Sequence, residues 1–304
     1  MIRYLTYPEI DKTKWDECID RSVNARIYAY SWYLDIVSPK WEALVKNDYE
    51  AVMPLMANKK YGIHYLYPPY FAQQLGVFSN EKISKKNVEE FLKAIPEHFK
   101  FIETNLNSQN TFELQGFHAK KNINIELSLD ATYQNLYGDF SDDIKRNIKK
   151  AVRSGIHLKK NIPPADIISI FRKNTGKKIS NLTDKNYKTL LHLINTCIKK
   201  GYGETFGALT SENKLCAGVV WLVKGDRAVF LFSATDEIAK RTGAMHFLIN
   251  EFIHSNAGKN SILDFEGSNI PGLARFYKGF GSKEYVYLQI RKNNLPRLFR
   301  WIKG

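Results

Sequence analysis

The spacing of apolar positions predicts its most regular elements in the second half of the chain. Over 142–154, Ile144, Ile148, Ala151 and Val152 fall on one face of a helix. Over 242–255, Met245, Leu248, Ile249 and Phe252 follow i, i+3, i+4, i+7. Helices are also predicted over 164–173, 184–200 and 271–278, the last with Pro271 in its first turn. The apolar runs 215–223 and 228–235 read as strands joined by a hairpin at Lys224-Gly225-Asp226-Arg227. Residues 261–266 read as a strand, and Val286, Leu288 and Ile290 alternate in a closing one.

The first half is less regular. Residues 1–40 read as helix and loop, 41–46 and 49–56 as strands, and 58–61 as a polar turn. An aromatic extended segment follows over 63–71, interrupted by Pro68-Pro69. Val88, Phe91, Leu92 and Ile95 place an amphipathic helix over 87–100. Short strands are predicted at 111–115 and 123–129, and the composition shifts between them. The expected boundary is therefore near residue 121, giving domains 1–121 and 122–304. With 304 residues, the chain has room for two ordinary domains. The expected class is α/β with a mixed sheet.

Charge sharpens this division. The chain carries 45 Lys+Arg against 31 Asp+Glu, a net +14. Residues 1–121 contribute 16 basic and 15 acidic side chains, whereas 142–214 alone contribute 16 and 6. Lys145, Arg146, Lys149, Lys150 and Arg153 fall opposite the apolar stripe of the 142–154 helix. Solvation of a charged face is the plain reading. Five like charges also repel by tenths of a kcal/mol per pair, which an anionic ligand would offset.

Cys18, Cys197 and Cys216 form no CxxC, which points to a reducing cytosol rather than a disulfide framework. No secretory h-region opens the chain, and the longest clean apolar run has strand length, so the expectation is a cytoplasmic protein with no transmembrane segment. No P-loop, GxGxxG after a strand, HExxH or GxSxG occurs, and the seven histidines form no ligand-like cluster. No metal is expected.

Two stretches carry a resemblance. Phe276-Tyr277-Lys278-Gly279-Phe280-Gly281 resembles the FK-x-FG segment of the Fem (FemABX-like) aminoacyltransferases, a branch of the acyl-CoA N-acyltransferase (GNAT) superfamily. Ile144-Lys145-Arg146-Asn147-Ile148-Lys149-Lys150-Ala151, with Ser154-Gly155-Ile156, is similar to the R-x-N-I-K-K-A-x-x-x-G-V string that opens their second domain. The resemblance covers about 122–292 and implies tandem GNAT-like domains. It implies an enzyme passing an aminoacyl or acyl group to a primary amine, with tRNA or a phosphate-bearing, peptidoglycan-type cell-wall precursor as the anion met by the basic helix.

In that family the lysine of this segment stabilises the tetrahedral oxyanion, and Lys278 stands at its position. Tyr277 stands where CoA-dependent GNAT enzymes keep a tyrosine that protonates the departing thiolate; packing of its ring on the sheet is the plain alternative. By strand alternation Asp264 and Glu266 share a face, and Glu266 is the candidate to accept the amine proton. The loop with Lys240, Arg241, Gly243 and Ala244 sits where GNAT enzymes bind the CoA pyrophosphate on helix N–H groups. Met245 replaces the small residue expected there, which favours a reading with no required cofactor. Two alternatives stay open: an N-acetyltransferase using acetyl-CoA, and a non-catalytic basic module for RNA or another anion.

Overall fold

The computed structural model describes residues 1–179, 181–267 and 269–295. Its elements begin β1 (Ile2–Leu5), α1 (Lys12–Arg21), α2 (Ser31–Val37), β2 (Glu42–Lys46), β3 (Ala51–Leu55), β4 (Ala57–Lys60), β5 (Ile63–Leu66), β6 (Phe78–Ser79), α3 (Lys85–Lys93) and β7 (Phe99–Asn105). They continue β8 (His118–Ser128), α4 (Tyr133–Gly138), α5 (Asp142–Arg153), β9 (His157–Lys160), α6 (Pro164–Lys173), α7 (Asp184–Lys199), β10 (Gly203–Leu209), β11 (Leu215–Lys224) and β12 (Arg227–Thr235). The last are α8 (Glu237–Thr242), α9 (Ala244–Asn256), β13 (Ile262–Asp264), α10 (Pro271–Lys278) and β14 (Lys283–Asn293). Two compact units result: 1–122 with, of the described residues, 286–295, and Ile123–Tyr285.

In the first unit β1, β2, β3 and β6 form an antiparallel sheet. The polar segment expected to be a turn at 58–61 is mostly strand: β4 pairs with β5, and the chain reverses at Tyr61-Gly62, both with positive φ. The helix expected over 87–100 ends at Lys93, because Pro96 lacks an N–H and disfavours helical backbone before it. The chain then extends into β7. Residues 111–115 form no strand. The strand expected over 286–290 is part of β14, whose residues 289–293 pair antiparallel with β7, Gln289 opposite Asn105. Leu288 and Ile290 join Phe91, Phe99 and Ile102 in one core. The chain thus crosses between units twice, near 122 and again near 285.

The second unit holds the strand order β8-β13-β12-β11-β10-β9. β11 is apolar and buried along most of its length because helices cover both its faces. On one face Trp221 stacks on Phe252 of α9, with ring centroids 4.0 Å apart. On the other, Gly218 lies against Ile167 of α6, where a Cβ would come within 2.7 Å of that side chain. β12 and β13 run parallel over only three positions, from Arg227↔Ile262 to Val229↔Asp264. Just beyond, the register of β12 on β11 slips: Phe230 faces Trp221 and Phe232 faces Val220, leaving Leu231 as a bulge.

A buried charge cluster ties the three strands together at this point. Arg227 of β12 donates to Asp264 of β13 at 2.7 Å and to Glu126 of β8 at 2.8 Å. Asn124 donates to the same Glu126 oxygen at 2.9 Å. Asp264 has only 1% of its side chain exposed and Glu126 8%. The guanidinium supplies both buried carboxylates with hydrogen bonds in place of water. Replacing Arg227 by Met leaves two carboxylates buried without their cation, so unfolding free energy from urea titration should fall by roughly 3–5 kcal/mol. An unchanged urea midpoint would overturn this account of the cluster.

Candidate functional site

The basic helix forms as its periodicity predicts. Ser141 caps α5, accepting from the Ile144 N–H, and acidic Asp142 and Asp143 occupy the positive end of the helix dipole. Ile144, Ile148 and Ala151 are buried. Val152 is not: it is 59% exposed, because it lies at the margin of the stripe and the neighbouring helix does not reach it. The basic face is also less uniform than its sequence suggests. Arg146 forms an ion pair with Asp143 one turn before it. Lys145 is half-buried, donates to the Gly138 carbonyl at 2.8 Å and lies over the Tyr137 ring. Lys149, Lys150 and Arg153 are exposed.

Two glycines bring the other candidate segments against α5. Gly243 ends α8 and precedes α9 at φ +80°, and a Cβ there would lie 2.6 Å from the Asn147 carbonyl oxygen. Gly279 follows α10, and a Cβ there would lie 2.7 Å from Ile144 Cγ1. The Ser141 N–H donates to the Gly279 carbonyl at 2.8 Å, joining the start of α5 to the end of α10. The 240–245 turn and the Tyr277-Lys278 segment therefore flank the same helix. At Gly243 the small residue is needed for this helix packing. Ala244 is buried, Lys240 pairs with Glu237 at 2.6 Å, and Arg241 is exposed.

Tyr277 is 6% exposed and closes the gap where β12 and β13 part. Its ring stacks on Phe265 at 4.7 Å and meets Phe230 edge-on at 5.8 Å. Burial first, and the Glu266 carboxylate second, push its hydroxyl above the ordinary tyrosine value. At neutral pH this phenol is a proton donor. Lys278, next on the helix, is half-exposed and pairs with Glu284 at 3.1 Å.

The expected pairing of Asp264 and Glu266 on one strand face is not formed. β13 stops at Asp264, whose Oδ1 accepts the Glu266 N–H at 2.9 Å, and Glu266 takes a positive φ of 55°. This local turn breaks the strand period. Asp264 is committed to Arg227, while Glu266 is half-buried in the vicinity of Tyr277.

Sequence reasoning passed over His246. It sits in the first turn of α9 with its ring edge-on to Phe276 at 4.9 Å and its Nδ1 buried. Burial lowers its pKa, against the opposing pull of Asp143 and the Gly243 carbonyl. Its i, i+3 place relative to Gly243 was visible, but not that α10 would cover it. The three cysteines are buried and free, their thiols pushed up by burial to about 11, 12 and 11 for Cys18, Cys197 and Cys216, so none is a ready nucleophile. Among the described residues no cluster of three or more His, Cys, Asp or Glu is arranged to hold a metal ion, and no helix is long and apolar enough to cross a membrane.

A mixed sheet with helices on both faces, a parallel pair that parts after three residues, and a bulge at the parting point belong to a fold that this chain shares with FemX. FemX matches with a TM-score of 0.69 at 12% identity, over 99% of this chain and 100% of its own. L-PGS from Bacillus licheniformis matches with a TM-score of 0.56 at 12% identity, over 96% and 95%. The C-terminal domain of a protein named as a lysylphosphatidylglycerol synthetase from Agrobacterium fabrum matches at 0.54 and 12%, over 91% and 92%. No protein-family model matches the sequence, and no curated protein matches it.

His246 makes stability depend on pH. Its folded pKa lies below the ordinary 6.5, so the unfolded state binds the proton more tightly. This contribution is complete above pH 6.5 and is lost as pH falls below it. His246→Gln should flatten the fall in melting temperature between pH 6.5 and 5; an unchanged profile would contradict the assignment.

Proposed function

We propose that this chain is an acyltransferase of the Fem type that passes an aminoacyl group to a primary amine, with aminoacyl-tRNA as donor and a cell-wall precursor as acceptor. The observation that carries this reading is the convergence of Tyr277-Lys278 and the basic helix α5 through Gly279, within a fold matched to FemX over nearly the whole of both chains. A neighbour named for lysylphosphatidylglycerol supports an aminoacyl group as the one moved.

In this reading the amine nitrogen attacks the ester carbonyl carbon of the donor, and the carbonyl oxygen becomes an oxyanion. Lys278 turns from Glu284 to that oxygen, and such a positioned donor typically contributes about 3–4 kcal/mol of transition-state stabilisation. The C–O bond to the tRNA hydroxyl then breaks. Tyr277 supplies the proton its leaving oxygen needs, and Glu266 takes the proton lost by the amine. The exposed Lys149, Lys150 and Arg153 meet donor phosphates as point charges without reading sequence. No cofactor is required.

Lys278→Met should abolish transfer from aminoacyl-tRNA to the amine acceptor, roughly a 10²–10³-fold loss of turnover, while the melting temperature stays within a degree or so. Full activity in that variant removes the proposed role. The dependence of tRNA affinity on salt should be steep, and Lys149→Gln with Lys150→Gln should reduce the slope of log K against log salt by about 2. A flat slope would exclude tRNA as the anion. Stabilisation by acetyl-CoA in place of tRNA would replace this reading with a CoA-dependent N-acetyltransferase, and tRNA binding without transfer would leave a binding module.

A further inference from the structure

Helix α5 accounts for only part of the charge carried by 142–214. A second concentration lies on the opposite face of the sheet. Trp221 and Phe230 face α9 and Tyr277, whereas Phe232 faces Phe171 of α6 at 4.8 Å. There α6 and α7 leave a groove of about 680 Å³, within the range of small-molecule sites. Ala165, Ile168, Ser169 and Arg172 line it from α6, and Asp184, Tyr187, Lys188 and Leu191 from α7. The i, i+3, i+4 spacing of each set shows that facing stripes of the two helices make its walls.

Its chemistry is divided. Ala165, Ile168 and Leu191 give the lining its aliphatic part, of which Ile168 is buried and Ala165 exposed, and Arg172, Lys173, Lys177 and Lys188 add cations. Asp184 is the one acid of the lining, and it is paired with Arg172, whose guanidinium lies 4.7 Å from the Tyr187 ring centroid. Among the described residues, Lys173, Lys177 and Lys188 have no carboxylate partner. These three lysines are exposed, and an anion seated in the groove would offset their mutual repulsion. The remainder of the occupant must be aliphatic rather than a nucleobase. Tyr187 is the groove's one aromatic ring; one face carries Arg172 and Phe171 packs against it.

We propose that this groove binds a single anionic phospholipid, with its phosphate on Arg172, Lys173, Lys177 and Lys188 and an acyl chain along Ala165, Ile168 and Leu191. The site is separate from Tyr277 and Lys278 and stands whether or not the transfer reaction does.

The test is calorimetric titration of the full chain with monomeric dihexanoylphosphatidylglycerol. Dihexanoylphosphatidylcholine has the same chains without net charge, glycerol phosphate has the phosphate without chains, and adenosine monophosphate offers a base instead. The anionic lipid should bind, the zwitterionic one about tenfold more weakly, and the other two not detectably at millimolar concentration. Lys173→Gln/Lys177→Gln/Lys188→Gln should cost about tenfold in affinity, and Ala165→Trp, which places an indole over the aliphatic part of the groove, should abolish binding, both with unchanged melting temperature. Absence of lipid binding, equal binding of both lipids, equal binding of glycerol phosphate, tighter binding of the nucleotide, or wild-type affinity in both variants would each overturn the proposal. None of these readouts involves turnover, so a failed transfer assay and a failed lipid titration remain distinguishable.

Discussion

The second unit depends on one buried interaction, the guanidinium of Arg227 held between Asp264 and Glu126. β13 is three residues long and has few backbone hydrogen bonds with which to hold its place. The charge cluster supplements them by joining β13 to β12 on one side and β8 on the other. The cation and its carboxylates are mutually dependent in a low-dielectric setting, and removal of one strands the others. Because β13 leads directly into Glu266 and α10, its register sets where Tyr277 and Lys278 lie. The parting of β12 from β13 begins where this cluster ends, and the aromatic rings of Phe230, Phe265 and Tyr277 fill it.

A second constraint acts through helix packing. α5 approaches the start of α9 and the end of α10 so closely that only glycine fits at 243 and 279. These contacts are backbone-to-backbone or backbone-to-branched-chain, and so cannot yield as a flexible side chain would. They gather into one region a basic helix, a half-buried histidine and a tyrosine-lysine pair that lie up to 136 residues apart in sequence. The positive charge of this unit is divided in turn. One share faces outward on α5, and another borders the α6–α7 groove on the far side of the sheet.

Much of the second half was legible because its elements are long and periodic. The apolar stripe of α5, the β11–β12 hairpin, α9 and α10 form close to where their patterns place them. The first half was less legible for identifiable reasons. β1 is only four residues long and β4 is short and polar, so neither carries a readable apolar alternation, and β7 was concealed by a helical pattern that Pro96 cuts short. In the candidate site, Lys278 and Tyr277 were singled out through their motif. His246 was not, because an isolated histidine on an amphipathic helix has no local signature.

Sequence alone determined the periodic helices and strands, the uneven charge, the absence of a disulfide pattern and the motif around Tyr277-Lys278. Each of these is a property of neighbouring residues or of simple counts. Tertiary structure decided that Asp264 is bound to Arg227 rather than paired with Glu266, and that Gly243 serves the approach of α5. It also decided that Tyr277 is buried while Lys278 is half-exposed, and that α6 and α7 leave a basic, aliphatic groove. These depend on which distant segments meet, and a side chain's role follows from the partners and solvent that the meeting leaves to it.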